Sequence, residues 1–296
     1  MAETETGNTH QTPERASGLW SKFKKTLLAL IVIVAFAYVA AAGYMYVNQR
    51  GFVFVPSGEL ETPAERGLEG VTVETVEMVD GTDVTVWSAE PSTSGAPTVL
   101  YFHGNSKNVS TRSSRFKQIL DSGYGLYAPS YRGYAGSEGS PSERAFISDA
   151  LEHYDRLAAT GTAVIVHGES LGTGVATAVV EQRPEAGLLV LEAPYTALVD
   201  MAYAEYPWLP VGLLMKDQMP TRERIGNVKA PVLIIHGTAD QVIPVEHGQR
   251  LFERAVDPKH LKIVEGVGHS DLWKNGLWSE VIKNWESAAY GTGSSG

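Results

Sequence analysis

The 296-residue sequence contains no cysteine. That absence excludes a disulfide framework and any thiol-based mechanism, and it decides nothing about compartment. A basic excess is also missing: 24 Lys and Arg stand against 34 Asp and Glu, a formal net charge of −10. No basic stripe occurs outside a short cluster at Lys22, Lys24 and Lys25, so nucleic acid is not an expected partner. No set of His, Asp and Glu has metal-ligand spacing, so neither a metal nor another cofactor is expected. No internal repeat is visible. Charge itself is absent from one stretch, the 22 residues from Thr26 to Val47.

About 20 apolar residues span a bilayer as a helix, so this stretch reads as one N-terminal transmembrane helix over residues 26–47. Trp20 and Phe23 flank one end and Tyr44 and Tyr46 the other, as interfacial aromatics would. Lys22, Lys24 and Lys25 precede it and only Arg50 follows closely. The positive-inside rule then puts the polar tail, 1–25, in the cytoplasm and the rest on the extracytoplasmic side of a membrane taken to be bacterial. The competing reading is a cleaved signal peptide, with an A-x-A-like site at Ala40-Ala41-Ala42. The apolar run continues past that site, which favours an uncleaved signal anchor. A soluble core helix is the poorest reading, because such helices carry a polar face.

Residues 51–290 have the size of one α/β domain, and 291–296 form a Gly/Ser tail. Val71–Met78 and Val84–Trp87 flank Asp80-Gly81 and read as an antiparallel hairpin at a sheet edge. Short apolar, β-branched runs follow near 98–102, 125–129, 162–167, 187–192, 231–236 and 260–264. Helical segments fall between them near 110–121, 142–159, 171–183, 245–256 and 276–288. This alternation implies a mostly parallel central sheet with helices on both faces.

Gly168-Glu169-Ser170-Leu171-Gly172 is a G-x-S-x-G pentapeptide between one of those strands and a helix of small residues, the setting a nucleophile elbow requires. Asp240 lies just past the Val232–Ile235 strand, in His236-Gly237-Thr238-Ala239-Asp240. His269 lies past the Leu261–Val264 strand, in Gly268-His269-Ser270-Asp271. Loops at the carboxyl ends of parallel strands converge on one site. A serine hydroxyl needs a base to remove its proton, and a carboxylate on the far imidazole nitrogen fixes the tautomer of that base. The remaining requirement is an oxyanion pocket. One donor falls to the Leu171 amide, and the other to the Asn105 amide in the loop after Thr98–Phe102, with Ser106 as the fallback.

These blocks, together with Tyr101–Asn105, Tyr131–Ser137 and Pro141–Arg144, resemble the α/β-hydrolase superfamily over residues 51–288. Within it the chain looks most like the membrane-anchored branch of lysophospholipid lipases, monoacylglycerol lipases and depalmitoylases. The resemblance implies a serine hydrolase that cleaves carboxylic esters or thioesters of acyl lipids through an acyl-enzyme. The catalytic residues would be Ser170, Asp240 and His269. The partners would be an acyl-ester small molecule or lipid and, through residues 26–47, the membrane.

Other readings stand beside these. Asp240 could merely form an Asx turn, and Glu192, after the 187–192 strand, is a rival acid. His103, His167 and His236 sit at strand ends and read as loop-shaping residues. His153, His247 and His260 read as solvated, and His10 lies in the polar tail. Arg132-Gly133-Tyr134 reads as a structural turn. Residues 194–229 form a short cap whose apolar run, Tyr206–Met215, makes Trp208 and Leu213 candidate acyl-binding residues. A serine peptidase of the prolyl-aminopeptidase type, with Glu205 holding the substrate amine, is the alternative activity. A non-catalytic interaction module on a hydrolase scaffold is the third.

Overall fold

The structure is a computed structural model that describes residues 14–290; the expectations for the 291–296 tail, for His10 and for the first part of the polar tail lie outside them. Two compact units are present, Met1–Asn48 and Gln49–Gly296. In the first, the described chain is helical throughout. It belongs to α1, a single 40-residue helix over Glu14–Val53. At 1.5 Å per residue this is about 60 Å long, roughly twice a bilayer's hydrocarbon thickness. The segment Leu19–Val53 is long and apolar enough to cross a membrane by length and composition, and its most apolar window is not buried against protein. The helix therefore continues well past the apolar run of 26–47, because Asn48, Gln49 and Arg50 are compatible with helical backbone although they end the hydrophobic stretch.

The second unit begins with the last residues of α1, up to Val53, and continues with a two-residue strand, β1 (Val55–Pro56), followed by the hairpin β2 (Thr72–Glu77) and β3 (Asp83–Ala89). Then come β4 (Thr98–Phe102), the short β5 (Ser106–Lys107), α2 (Ser113–Asp121) and β6 (Gly125–Pro129). The elements α3 (Glu143–Ala158), β7 (Val164–Glu169), α4 (Gly172–Gln182) and β8 (Leu188–Glu192) complete the first half. A connection of short helices follows: α5 (Leu198–Glu205), α6 (Val211–Leu214) and α7 (Thr221–Arg224). The chain closes with β9 (Val232–Gly237), α8 (Glu246–Arg254), β10 (Lys259–Val264) and α9 (Leu277–Tyr290).

Eight strands form one sheet in the order β10-β9-β8-β7-β4-β6-β3-β2. From β10 to β6 every pairing is parallel, β3 runs against its neighbours, and β2 closes the edge as the outer arm of the expected hairpin. Side chains alternate across each strand, so each strand feeds two cores. Leu100, Phe102, Val166, Leu189, Leu191 and Ile234 pack on one face against α3, α4 and α8. Val99, Tyr101, Ile165, Val190, Leu233 and Ile235 pack on the other against α2 and α9. Coverage on both faces is why the central strands read as unbroken apolar runs.

α4 sits at the centre and is buried from Gly172 to Val180. Its small residues permit that approach: a Cβ at Gly172 would collide with the Phe102 carbonyl oxygen. α3 begins at Ser142, whose hydroxyl accepts the Ala145 amide at 3.2 Å, a conventional N-cap. Arg132 bridges Asp149 of α3 and Asp80 of the hairpin turn, in keeping with a structural turn at Arg132-Gly133-Tyr134.

His153 departs from expectation. It lies on α3, is 1% exposed, and its Nδ1 is 3.2 Å from the Tyr127 hydroxyl. Burial, with nearby Arg156, pushes its pKa down to about 3. The helical face it occupies also carries Phe146, Ala150 and Tyr154, so it packs inward with them. His247 is half-buried, its Nδ1 hydrogen-bonded with the Thr196 hydroxyl at 2.9 Å, and His260 is exposed.

Candidate active site

Ser170 occupies the turn between β7 and α4 with φ of 51°, in the left-handed region that a residue with a side chain rarely adopts. The strain is held by hydrogen bonds on both sides. Its amide donates to the Glu192 carbonyl at 2.9 Å, and its own carbonyl accepts the Thr173 amide at 2.9 Å and the Thr173 hydroxyl at 2.6 Å. The hydroxyl is thereby presented beyond the carboxyl end of the sheet.

His269 reaches it from the loop after β10, with Nε2 3.0 Å from Ser170 Oγ. The other ring nitrogen, Nδ1, donates to Asp240 Oδ2 at 2.7 Å. Two loops must meet for this contact, and Gly237 allows it. A Cβ there would strike the Val267 carbonyl oxygen, which instead accepts the Ala239 amide at 3.0 Å. Asp240 uses its second oxygen locally: Oδ1 accepts the amides of Val242 at 2.8 Å and Ile243 at 2.9 Å. The Asx-turn reading and the histidine-orienting reading thus describe two oxygens of one carboxylate. Burial opposes ionisation of Asp240, but hydrogen bonds from His236, His269 and the Ile243 amide hold its carboxyl well below the usual range.

The rival acid is occupied elsewhere. Glu192 is fully buried, bonded to His167 Nε2 at 3.0 Å and Trp273 Nε1 at 2.9 Å, with Arg115 at 3.3 Å. Beside it, Glu169 takes Arg112 Nε and Nη2, each at 3.0 Å, and Arg115 at 2.8 Å. Burial works against that charge, and the two guanidiniums keep it ionised. This network lies under the elbow. His103 and His236 are likewise internal: His103 Nδ1 donates to the Gly104 carbonyl at 2.7 Å, and His236 Nε2 donates to the Ile243 carbonyl at 2.8 Å and lies 3.3 Å from Asp240 Oδ2.

A cavity of about 160 Å³ adjoins Ser170. Asn105 and Leu171, the two expected oxyanion residues, both line it. Among the described residues, neither of their backbone N–H groups has a protein acceptor. The rest of the wall is Tyr195, whose hydroxyl donates to the Leu171 carbonyl at 3.1 Å, and the apolar Val53, Leu198, Met201, Val242 and Ile243. Trp208 and Leu213 are not part of it; they are 51% and 89% exposed on the cap. Leu198 and Met201 could have been found by their i, i+3 spacing on the first cap helix. Val53 carries no sequence signal at all.

The family described as "Serine aminopeptidase, S33" (Hydrolase_4) matches this chain at residues 94–214 and 211–273. The chain belongs to this family of α/β-hydrolases. The hydrolase is 36% identical over 255 residues to the uncharacterized protein Rv2307c of Mycobacterium tuberculosis, covering 83% of this chain and 90% of that protein. Lysophosphatidylserine lipase ABHD12 of Danio rerio is 28% identical over 294 residues, covering 83% of this chain and 76% of that protein. Among solved structures, the Pyrococcus furiosus esterase Pf2001 superposes with a TM-score of 0.62 at 18% identity, over 79% of the hydrolase and 97% of that chain. At that identity the likeness speaks to fold.

Proposed function

We propose that this hydrolase is a membrane-anchored serine esterase or lipase that cleaves carboxylic esters or thioesters of acyl lipids. The observation that carries the reading is the continuous hydrogen-bonded chain from Ser170 Oγ through His269 to Asp240, at 3.0 and 2.7 Å. Ser170 attacks the acyl carbonyl while its proton passes to His269 Nε2, and the imidazolium is stabilised through Nδ1–H by Asp240. The Leu171 and Asn105 amides take the developing oxyanion. His269 returns the proton to the leaving alcohol or thiol, leaving an acyl-enzyme. Water then attacks, giving its proton to His269, and Ser170 recovers one as the acid departs.

The apolar wall beside Ser170 supports an acyl group as the bound portion. An aminopeptidase needs a carboxylate to hold the substrate ammonium. Glu205, the sequence candidate, is exposed and does not line the cavity, nor does any other Asp or Glu among the described residues. The relative acting as a lysophosphatidylserine lipase points toward lysophospholipid-like substrates. The helix Glu14–Val53 would anchor the enzyme, with residues 1–25 cytoplasmic and 51–290 extracytoplasmic.

The test is fluorophosphonate labelling of membranes carrying the wild-type chain or Ser170→Ala, followed by an ester panel. Labelling and ester turnover that vanish in Ser170→Ala support the reading. A folded wild type that does not label, or a mutant that still turns over ester, refutes it.

A further inference from the structure

We infer that the turn leaving the long helix, Val53–Val55, sets the position of the Asn105 oxyanion donor and so belongs to the reaction machinery. The inference rests on the serine-hydrolase reading above. A helix ends with four carbonyls that lack partners within it. Here Phe54 N takes the Arg50 carbonyl at 2.8 Å, and the side-chain amide of Asn105 donates to the Val53 carbonyl at 3.2 Å. Val55 then reaches back: its N–H donates to the Asn105 carbonyl at 3.1 Å, as β1 pairs with β5. The Tyr134 hydroxyl donates to the same carbonyl at 2.7 Å. On the preceding peptide, His103 Nδ1–H holds the Gly104 carbonyl at 2.7 Å, fixing the plane that carries the Asn105 N–H.

The side-chain Nδ2 and the carbonyl of Asn105 are thus committed, whereas its N–H has no protein acceptor among the described residues and remains for a ligand in the cavity. The turn is itself fixed. Phe54 is 2% exposed and packs on Phe146 at a ring separation of 5.0 Å. One turn earlier, Arg50 pairs with Asp217 at 2.7 Å, while Gln49 donates to the Leu214 carbonyl at 3.1 Å and accepts the Lys216 amide at 2.7 Å. Val53 completes the link by lining the cavity. One short segment therefore touches the cap, the acyl wall and the oxyanion loop. An oxyanion donor works because it is already aimed when charge develops, so loosening its support is felt in the transition state more than in substrate binding. Asn105 through its side chain, and Val55 through its amide, are positioning residues.

The experiment uses full-length protein in detergent and two substitutions. Asn105→Ala removes the donor to Val53 while keeping the backbone N–H. Val55→Pro removes the donor to the Asn105 carbonyl. Active sites are counted by fluorophosphonate labelling taken to completion, and kcat and KM for a short acyl ester are expressed per labelled site. The expected result is a kcat lower by about tenfold or more with KM within about threefold, since deleting an oxyanion donor outright costs about 10²–10³. An unchanged kcat per labelled site in Asn105→Ala overturns the inference, whatever its effect on yield or melting temperature. If Val55→Pro fails to fold, Asn105→Ala alone decides. A parallel Ser170→Ala control that abolishes turnover beside an unaffected Asn105→Ala leaves the hydrolase reading standing and removes only this inference.

Discussion

Asp240 divides its work between two oxygens, and that division makes its substitution informative. Asp240→Asn retains an acceptor for the Val242 and Ile243 amides, so the loop keeps its shape. It can no longer hold the His269 tautomer whose Nε2 is free to accept from Ser170. We expect kcat to fall by about 10³–10⁴ with little change in melting temperature; a fall below about tenfold would remove Asp240 from the proposed triad. The buried histidines make a second prediction at this scale. His103 and His153 are each held neutral, with burial the main cause and a nearby arginine adding to it, at a pKa of about 3. In the unfolded chain both titrate near 6.5. The folded state then binds fewer protons, so its stability is complete above about pH 6.5. It declines as the pH falls toward about 3, by up to about 1.4 kcal/mol per pH unit for each histidine. Urea titrations of His153→Gln should show a shallower decline than wild type between pH 6.5 and 4. An equal slope would mean that His153 is charged when folded.

At the scale of elements, the elbow depends on β7 and α4 passing very close to β4. The substitution Gly172→Ala adds one carbon where the Phe102 carbonyl oxygen already sits. Neither partner is a flexible side-chain end, so the cost should be about 3 kcal/mol or more, with loss of fluorophosphonate labelling. A urea midpoint within experimental scatter of wild type would show that the elbow can open. The cap makes a prediction about selectivity. Met201 lines the cavity, whereas Leu213 is 89% exposed. Met201→Trp should lower kcat/KM for long acyl esters relative to short ones by about tenfold, since a methylene in an apolar pocket is worth about 1–3 kcal/mol. Leu213→Asp should move that ratio less than twofold. A reversal of the two effects would return the acyl site to the Tyr206–Met215 run where the sequence suggested it.

For the molecule as a whole, a helix of about 60 Å exceeds what a bilayer needs, and its C-terminal turn is built into the hydrolase unit. If the helix is an uncleaved anchor, the protein should resist alkaline carbonate extraction and retain residues 26–47 in its intact mass. A mature chain beginning just after Ala42 would establish the signal-peptide reading. Much of this architecture is written locally. Parallel strands covered on both faces must be apolar throughout, so β4 and β6–β9 announce themselves within a few residues of their true ends, and the edge strand β10 shows through the apolar Leu261, Ile263 and Val264. The elbow is legible because a strained strand-to-helix turn tolerates little besides glycine around its serine. The order Ser170, Asp240, His269 follows from where loops fall at strand ends.

The rest required the chain to be folded. Asp240 and Glu192 both fall at the carboxyl ends of adjacent strands, and only the close passage of Gly237 and Val267 brings the former to His269, while His167 and Trp273 hold the latter in the interior. His153 looked like a surface helix residue until α3 was set against β6 and Tyr127. Trp208 and Leu213 had the right chemistry for an acyl wall, but they are exposed on the cap, and Leu198, Met201 and Val53 line the cavity beside Ser170. Sequence by itself determined the elements and the order in which the proposed nucleophile, acid and base occur, because those arise from short-range patterning and stereochemistry. Tertiary structure decided which carboxylate meets which imidazole, and which apolar residues face the serine. Such pairings join residues tens to more than a hundred positions apart, and no local propensity encodes them.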